Sequence, residues 1–208
     1  QLGTAGDLVV SGSAGSANFN ADSIRQGDTA ANALTVLGET RLNNSNSVVL
    51  NNDANQFGSA VVLQNAGTVN LKGNETLIVQ GSAAETTLTV IGTNGQLVVN
   101  GLNAESLTAT ATRIDQTGFL NVTDNSTLSA QNIDLNDSIN IVGNFRINPT
   151  VSDNKKGIES IVTLRTVEST VANNLFSANT SAFAKRRIKV DLPTLVYPTK
   201  DTRTILSR

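Results

Sequence analysis

The fold of this chain is decided by an octapeptide that returns in altered form further along. The stretch Leu107-Thr-Ala-Thr-Ala-Thr-Arg-Ile114 matches Leu128-Ser-Ala-Gln-Asn-Ile-Asp-Leu135 at an offset of 21 residues. A second pair, Leu34-Thr-Val-Leu-Gly38 and Leu88-Thr-Val-Ile-Gly92, shares the same opening. Both pairs indicate an internal repeat with a period of about 20 residues, which is typical of proteins built from stacked units.

Short apolar segments recur between Gly, Asn, Asp and Ser residues, as at Ser47–Leu50, Thr76–Val79 and Gln96–Val99. Strands this short and regular leave a β-sandwich, a β-barrel or a solenoid. A unit of about 20 residues cannot bury its own apolar face, whereas stacked units share one continuous core. We therefore predict an all-β chain whose residues 1–148 form a parallel β-helix. We expect it to be right-handed, following the usual rule for parallel crossovers.

The composition supports strands over helices. The chain has 208 residues, of which 26 are Asn and 16 are Gly, and both residue types oppose helix formation. Asn side chains at equivalent turns of a solenoid form hydrogen-bonded ladders, and Asn tolerates the left-handed backbone of tight corners. We place Val98 in the interior of a coil, so Val98→Asp is expected to abolish folding.

Several kinds of chemistry are excluded by residues that the sequence lacks. It contains no Cys and no His, so it offers no disulfide, no thiol nucleophile, no imidazole base and no usual transition-metal ligand set. No apolar run approaches the 18 or so residues of a membrane-spanning helix. We expect no cofactor and no insertion into a membrane.

The character of the sequence changes near Pro149. Residues 1–148 carry 5 basic and 12 acidic side chains, and residues 149–208 carry 10 basic and 5 acidic ones. Within this second segment, residues 158–177 fit a helix or a strand equally well. The segment either caps the open end of the β-helix or donates its strands to another subunit. In the second case the predicted subunit contacts are Ile188, Val190, Leu192, Leu195, Val196 and Tyr197.

Nucleic acid is not an expected partner. The cluster Lys185-Arg186-Arg187 is basic, but no aromatic residues accompany it for base stacking. The isoelectric point of about 5.1 also disfavours a nucleic-acid-binding protein.

Two groups of residues are candidates for site chemistry, and we interpret neither as a site. The segment Asp53-Ala-Asn-Gln-Phe-Gly58 begins like a calcium loop, but Phe57 and Gln64 replace required oxygen ligands, so we interpret it as a coil corner. The densest carboxylates are those of Asp115, Asp124, Asp134 and Asp137. A 21-residue coil stacks Arg113 with Asp134 and Asp115 with Asn136, which favours a surface ion pair over a catalytic dyad.

A family resemblance adds to this interpretation. The stretch Val49-Leu-Asn-Asn-Asp-Ala-Asn-Gln-Phe-Gly-Ser-Ala-Val61, and the residues from Leu107 to Leu135, resemble the repeats of filamentous-haemagglutinin-like exoproteins of two-partner secretion systems. The likeness covers about residues 34–148. It implies a secreted or surface-anchored bacterial β-helix that acts as an adhesin, a biofilm matrix component or a stalk.

The expected function is therefore non-catalytic. We predict a structural or adhesive module, a stiff repetitive rod on the bacterial surface or outside the cell, which contacts glycans or proteins of host or neighbouring cells. The first alternative is a filament subunit that associates with itself, polymerising by strand addition through its C-terminal segment. The second is a segment of a phage tail fibre.

Overall fold

The computed structural model describes residues 6–27, 29–43, 45–137 and 139–149, together with two short strands at 161–164 and 189–190. The regular secondary structure in these ranges is β-strand, apart from one 3-10 helix at Ala30–Asn32, and turns join the strands. The strands are β1 (Asp7–Val9), β2 (Gly12–Ala14), β3 (Ala17–Asn20), β4 (Ser23–Arg25), β5 (Leu34–Val36), β6 (Thr40–Asn43), β7 (Ser47–Leu50), β8 (Gln56–Phe57), β9 (Val61–Ala66), β10 (Thr68–Gly73), β11 (Thr76–Val90), β12 (Gln96–Thr110), β13 (Arg113–Gln116), β14 (Leu120–Val122), β15 (Ser126–Ala130), β16 (Asn132–Leu135), β17 (Ile139–Ile141), β18 (Phe145–Pro149), β19 (Ile161–Leu164) and β20 (Lys189–Val190).

The strands stack into three columns, and every pairing between them is parallel. The first column runs β1, β4, β7, β10, the ends of β11 and β12, β15 and β18. The second holds β2, β5, β8, the starts of β11 and β12, β13, β16, β19 and β20. The third holds β3, β6, β9, the middles of β11 and β12, β14 and β17. The prediction of an all-β solenoid of parallel coils is thus confirmed, with about seven turns.

The offset between coils varies around the predicted period of about 20 residues. It is 21 residues between Leu88 and Ala109, but not between the coils that hold the octapeptides at 107 and 128. Leu107 pairs with Ser126 and Ala109 with Leu128, an offset of 19. The predicted stacking partners are therefore wrong: Arg113 lies over Asn132, and Asp115 lies over Asp134. An error of two residues is easily made, because strand side chains alternate with a period of two and the same residues stay inside.

The core consists of stacks of inward, mostly aliphatic side chains, and each stack is formed by the equivalent strand position of successive coils. Leu50, Leu71 and Leu88 are in register in the first column, and all three are fully buried. All but one of the buried hydrophobic side chains belong to a single cluster that runs the length of the described coils. Each coil therefore shields the next, as the repeat predicts.

Val98 is an exception to the predicted core. Its neighbours Leu97 and Val99 are buried at 0% and 1% exposure, whereas Val98 is half-buried. In a strand, successive side chains point to opposite faces, so Leu97 and Val99 face the interior and Val98 faces outward. The placement of Val98 inside the coil is wrong, and the next coil carries Asp115 in register with it.

The corner within β11 requires glycine. Gly81 has a φ of +109°, and a Cβ atom there would lie 2.0 Å from the carbonyl oxygen of Leu63 in the preceding coil. The register with β12 also shifts between Val79 and Gly81. The close approach lets one continuous strand bend from the second column into the third.

Only short parts of the segment from residue 150 onward are described. Ile161–Leu164 is a strand, which answers the choice between helix and strand for those four residues. Lys189–Val190 pairs in parallel with β19 of the same chain. The predicted contacts Ile188, Leu192, Leu195, Val196 and Tyr197 and the basic cluster at 185–187 lie outside the described residues, and their roles stay predictions, as does that of Val190.

Candidate functional site

Three adjacent coils are joined at one corner by a group of buried amides, which we call the corner amide cluster (Gln26, Asn52 and Asn55). The amides of Gln26 and Asn55 form a reciprocal pair, with Nε2 to Oδ1 at 2.7 Å and Nδ2 to Oε1 at 2.8 Å. The Asn55 Oδ1 also accepts from the backbone N–H of Leu34 at 2.8 Å. Its Nδ2 lies 3.1 Å from the carbonyl oxygen of Leu50 and 3.2 Å from that of Lys72.

This cluster explains the segment that begins like a calcium loop. Asn55 is 0% exposed and its oxygen is taken up by Gln26 and Leu34, so it is not available as a metal ligand. Asp53 pairs with Lys72 of the next coil, with Nζ and Oδ1 2.8 Å apart. Phe57 is buried in the core. The segment is a coil corner, and the described part of the chain contains no group of three or more acidic, His or Cys residues that is able to hold a metal ion.

The carboxylates converge only in part. Asp115 and Asp134 are neighbours in register on the outer side of the second column. Asp124 follows β14 in the third column and Asp137 follows β16 in the second, so each lies at a different corner. The structure therefore brings together two of the four acids.

Asp115 is largely buried and is held by two neighbouring side chains. It is only 8% exposed, although it lies on the outward side of its strand. The Arg113 Nε lies 2.7 and 2.6 Å from its two carboxylate oxygens, and the Gln96 amide donates to Oδ2 at 2.6 Å. The hydrogen bond from Arg113 to Asp115 and the charge of Asp115, followed by the charge of Asp134, raise the pKa of Arg113, while partial burial opposes the rise. The guanidinium accordingly stays charged at any ordinary pH.

Arg113→Gln is expected to lower the free energy of unfolding by about 1 to 3 kcal/mol, because a largely buried carboxylate beside a second one loses its cation. The measurement is the midpoint of urea unfolding. The matched control is Arg41→Gln, which breaks an exposed pair with Glu39 and should cost at most about 1 kcal/mol. Equal shifts for the two variants would contradict this account, and Asp115→Asn should recover part of the loss in the Arg113→Gln background.

Amide ladders join successive coils on the outside. Asn43 donates to Asn18, and Asn121 Nδ2 donates to Asn103 Oδ1 at 3.2 Å. Asn144 Nδ2 donates to Asn125 Oδ1 at 2.9 Å. Amide hydrogen bonds between successive coils are thus present as predicted, but they are separate pairs, and two of the three lie within strands instead of at turns. The left-handed backbone is a minor use of Asn. Among the described residues, positive φ outside glycine occurs at Asn65 and Glu75.

A regular array of hydroxyls covers the outer side of the first column. We call it the threonine face, and its members are Thr87, Thr89, Thr108, Thr110, Thr127 and Ser129. Thr87, Thr108 and Thr127 are in register in three successive coils, and so are Thr89, Thr110 and Ser129. The sequence signal is a Thr-x-Thr or Thr-x-Ser triplet that recurs at 87, 108 and 127 and matches no catalytic or metal-binding motif.

No helix in the described ranges is both long and apolar enough to cross a membrane.

Comparison with known proteins identifies a family but gives no activity. No curated protein and no solved structure matches the chain. A family model described as repeats of unknown function (DUF5649) matches residues 1–64 and 83–146, two stretches of 64 residues each. Each stretch spans three turns of the solenoid, from β1 into β9 and from the end of β11 into β18. The chain therefore belongs to the DUF5649 family of repeats.

Proposed function

We propose that this chain is a non-catalytic structural or adhesive module of a bacterial surface or secreted protein. In this role it is a stiff rod, similar to the repeats of filamentous-haemagglutinin-like exoproteins, that presents a comparable polar outer surface at successive turns. Many weak contacts along such a rod gain strength by avidity, without a deep pocket or a unique site.

The observation that carries the proposal is the unbroken stacking of the coils. The inward stacks continue from β1 to β18, so the module has the rigidity of one core. Its outward side chains are mostly short and polar, and they repeat at the spacing of the coils, about 4.8 Å. A surface of this kind suits repeated, low-affinity contact with an equally repetitive partner such as a cell-surface glycan.

Beads coated with the full chain at graded density test this function. Their retention on a glycan array and on cultured cells should rise steeply with density, while the free monomer binds weakly, because avidity multiplies weak contacts. Beads carrying the Leu71→Asp variant, which is expected to unfold, are the matched control. Retention no greater than that of the control at every density would refute adhesion.

A further inference from the structure

We propose that the threonine face is a binding site for ice, with the ordered water lattice of a crystal surface as its ligand. The proposal concerns the six hydroxyl-bearing residues of three successive coils, and it does not depend on the adhesive function.

The hydroxyls of the threonine face are regularly spaced in two directions. Neighbouring coils are about 4.8 Å apart, and alternate residues of a parallel strand are about 6.6 Å apart. The two ranks of hydroxyls therefore form a rectangular lattice with these two repeats. The side chains between the ranks, those of Leu88, Ala109 and Leu128, are all 0% exposed, so the core holds the backbone beneath the array in place.

The six hydroxyls are available to bind a ligand. None of the six side chains hydrogen-bonds to another residue in the described part of the chain. Thr87, Thr108 and Thr110 are exposed, and the other three are half-buried. The outward residues directly below and above the first rank are Asn70 and Arg146, and those of the second rank are Lys72 and Asn148. One charged side chain therefore lies at each end of the array, and none lies within it.

The array is ordered before it binds a ligand. Threonine is branched at Cβ and is restricted in its χ1 angle, so its hydroxyl and methyl groups lose little freedom when a ligand fixes them. Five of the six residues are threonine. Bound waters that bridge to such hydroxyls make hydrogen bonds nearly as good as direct ones.

The two repeat distances of the array favour ice as the ligand. Oxygen atoms on a prism surface of ice repeat at two perpendicular distances close to those of the array. The hydroxyls replace lattice waters, and the methyl groups fill the hollows between them. The six positions of the array carry no charge and neither does ice, so the two surfaces are complementary without any ion. A flat sugar chain fits less well, because the six positions carry no aromatic side chain on which its rings would stack.

The test follows single ice crystals in a solution of the full chain, in a nanolitre osmometer. We expect faceted crystals, a freezing point held below the melting point, and slower recrystallisation of a frozen film. Thr108→Lys places a long charged side chain at the centre of the array, and at least tenfold more protein should then be needed for the same effect. Thr110→Lys is the second variant, used if the first lacks the wild-type circular dichroism spectrum.

The matched control is Asn103→Lys, an exposed residue of the same strand β12 that lies in the third column. It should leave the effect on ice unchanged. Round crystals that grow as in buffer, or a lysine variant as active as the wild type, would overturn the proposal. Two other results without an effect on ice would also overturn it. One is a dimer in sedimentation that Thr108→Lys dissociates, and the other is binding to cellulose powder that Thr108→Lys abolishes.

Discussion

Leu71→Asp is expected to abolish the folded state. Leu71 is 0% exposed and lies between Leu50 and Leu88 in the inward stack of the first column. An ionised carboxylate at this position would find no cation, and its burial costs several kcal/mol in addition to the lost leucine packing. Since folded domains are stable by only about 5 to 15 kcal/mol, this is sufficient to unfold the coils. Far-ultraviolet circular dichroism and urea titration measure the loss.

The control lies on the same strand. Asn70→Asp introduces the same side chain one residue earlier, at a half-buried position on the outer side of β10. Its side chain points away from the core, on the same side as Lys72, so stability should change by no more than about 0.5 kcal/mol. A cooperative unfolding transition near that of the wild type in Leu71→Asp would contradict the inward stack.

The repeat predicts the solenoid well because it follows from a physical need: a 20-residue unit has no core of its own. It predicts individual strands less well. β2 is Gly-Ser-Ala and β3 is Ala-Asn-Phe-Asn, and neither contains a run of apolar residues. They are strands because β5 and β6 pair with them in the next coil, and such pairing is a tertiary effect that outweighs local propensity.

The register between coils follows less directly from the sequence than the solenoid does. The octapeptides at 107 and 128 are alike because both alternate small or apolar inward residues with polar outward ones. A pattern with a period of two stays equally good when it is shifted by two residues. The lengths of the corners decide between the two registers, and the corner lengths depend on close backbone contacts. At Gly118, for example, a Cβ atom would lie only 2.7 Å from the backbone nitrogen of Gly101.

The same limit explains what was missed at the candidate sites. Recognising the threonine face requires the register, because the three triplets form a lattice only when Thr87, Thr108 and Thr127 are neighbours. Burial is equally invisible among 26 Asn residues that look alike in the sequence. Asn55 is fully buried and Asn144 is exposed, although each is followed by an aromatic residue within two positions.

That contrast leads to a second large effect: Asn55→Leu should lower the free energy of unfolding by at least about 4 kcal/mol. The leucine has a similar volume but removes every hydrogen bond of the Asn55 amide. The Gln26 amide, the Leu34 N–H and the carbonyl groups of Leu50 and Lys72 then lose a partner inside the corner, and each orphaned group costs about 1 to 3 kcal/mol. Urea unfolding followed by circular dichroism measures the change.

Asn144→Leu is the matched control, because it removes only the exposed hydrogen bond from Nδ2 to Asn125 Oδ1, where water replaces the lost partner. The backbone N–H of residue 144 still donates to Asn125, and stability should change by about 0.5 kcal/mol or less. Similar losses in the two variants would refute the view that the corner amide cluster, rather than asparagine content in general, joins the coils. Gln26→Leu combined with Asn55→Leu sharpens the comparison. The double variant should lose less than the sum of the single ones, because the reciprocal amide pair can be broken only once.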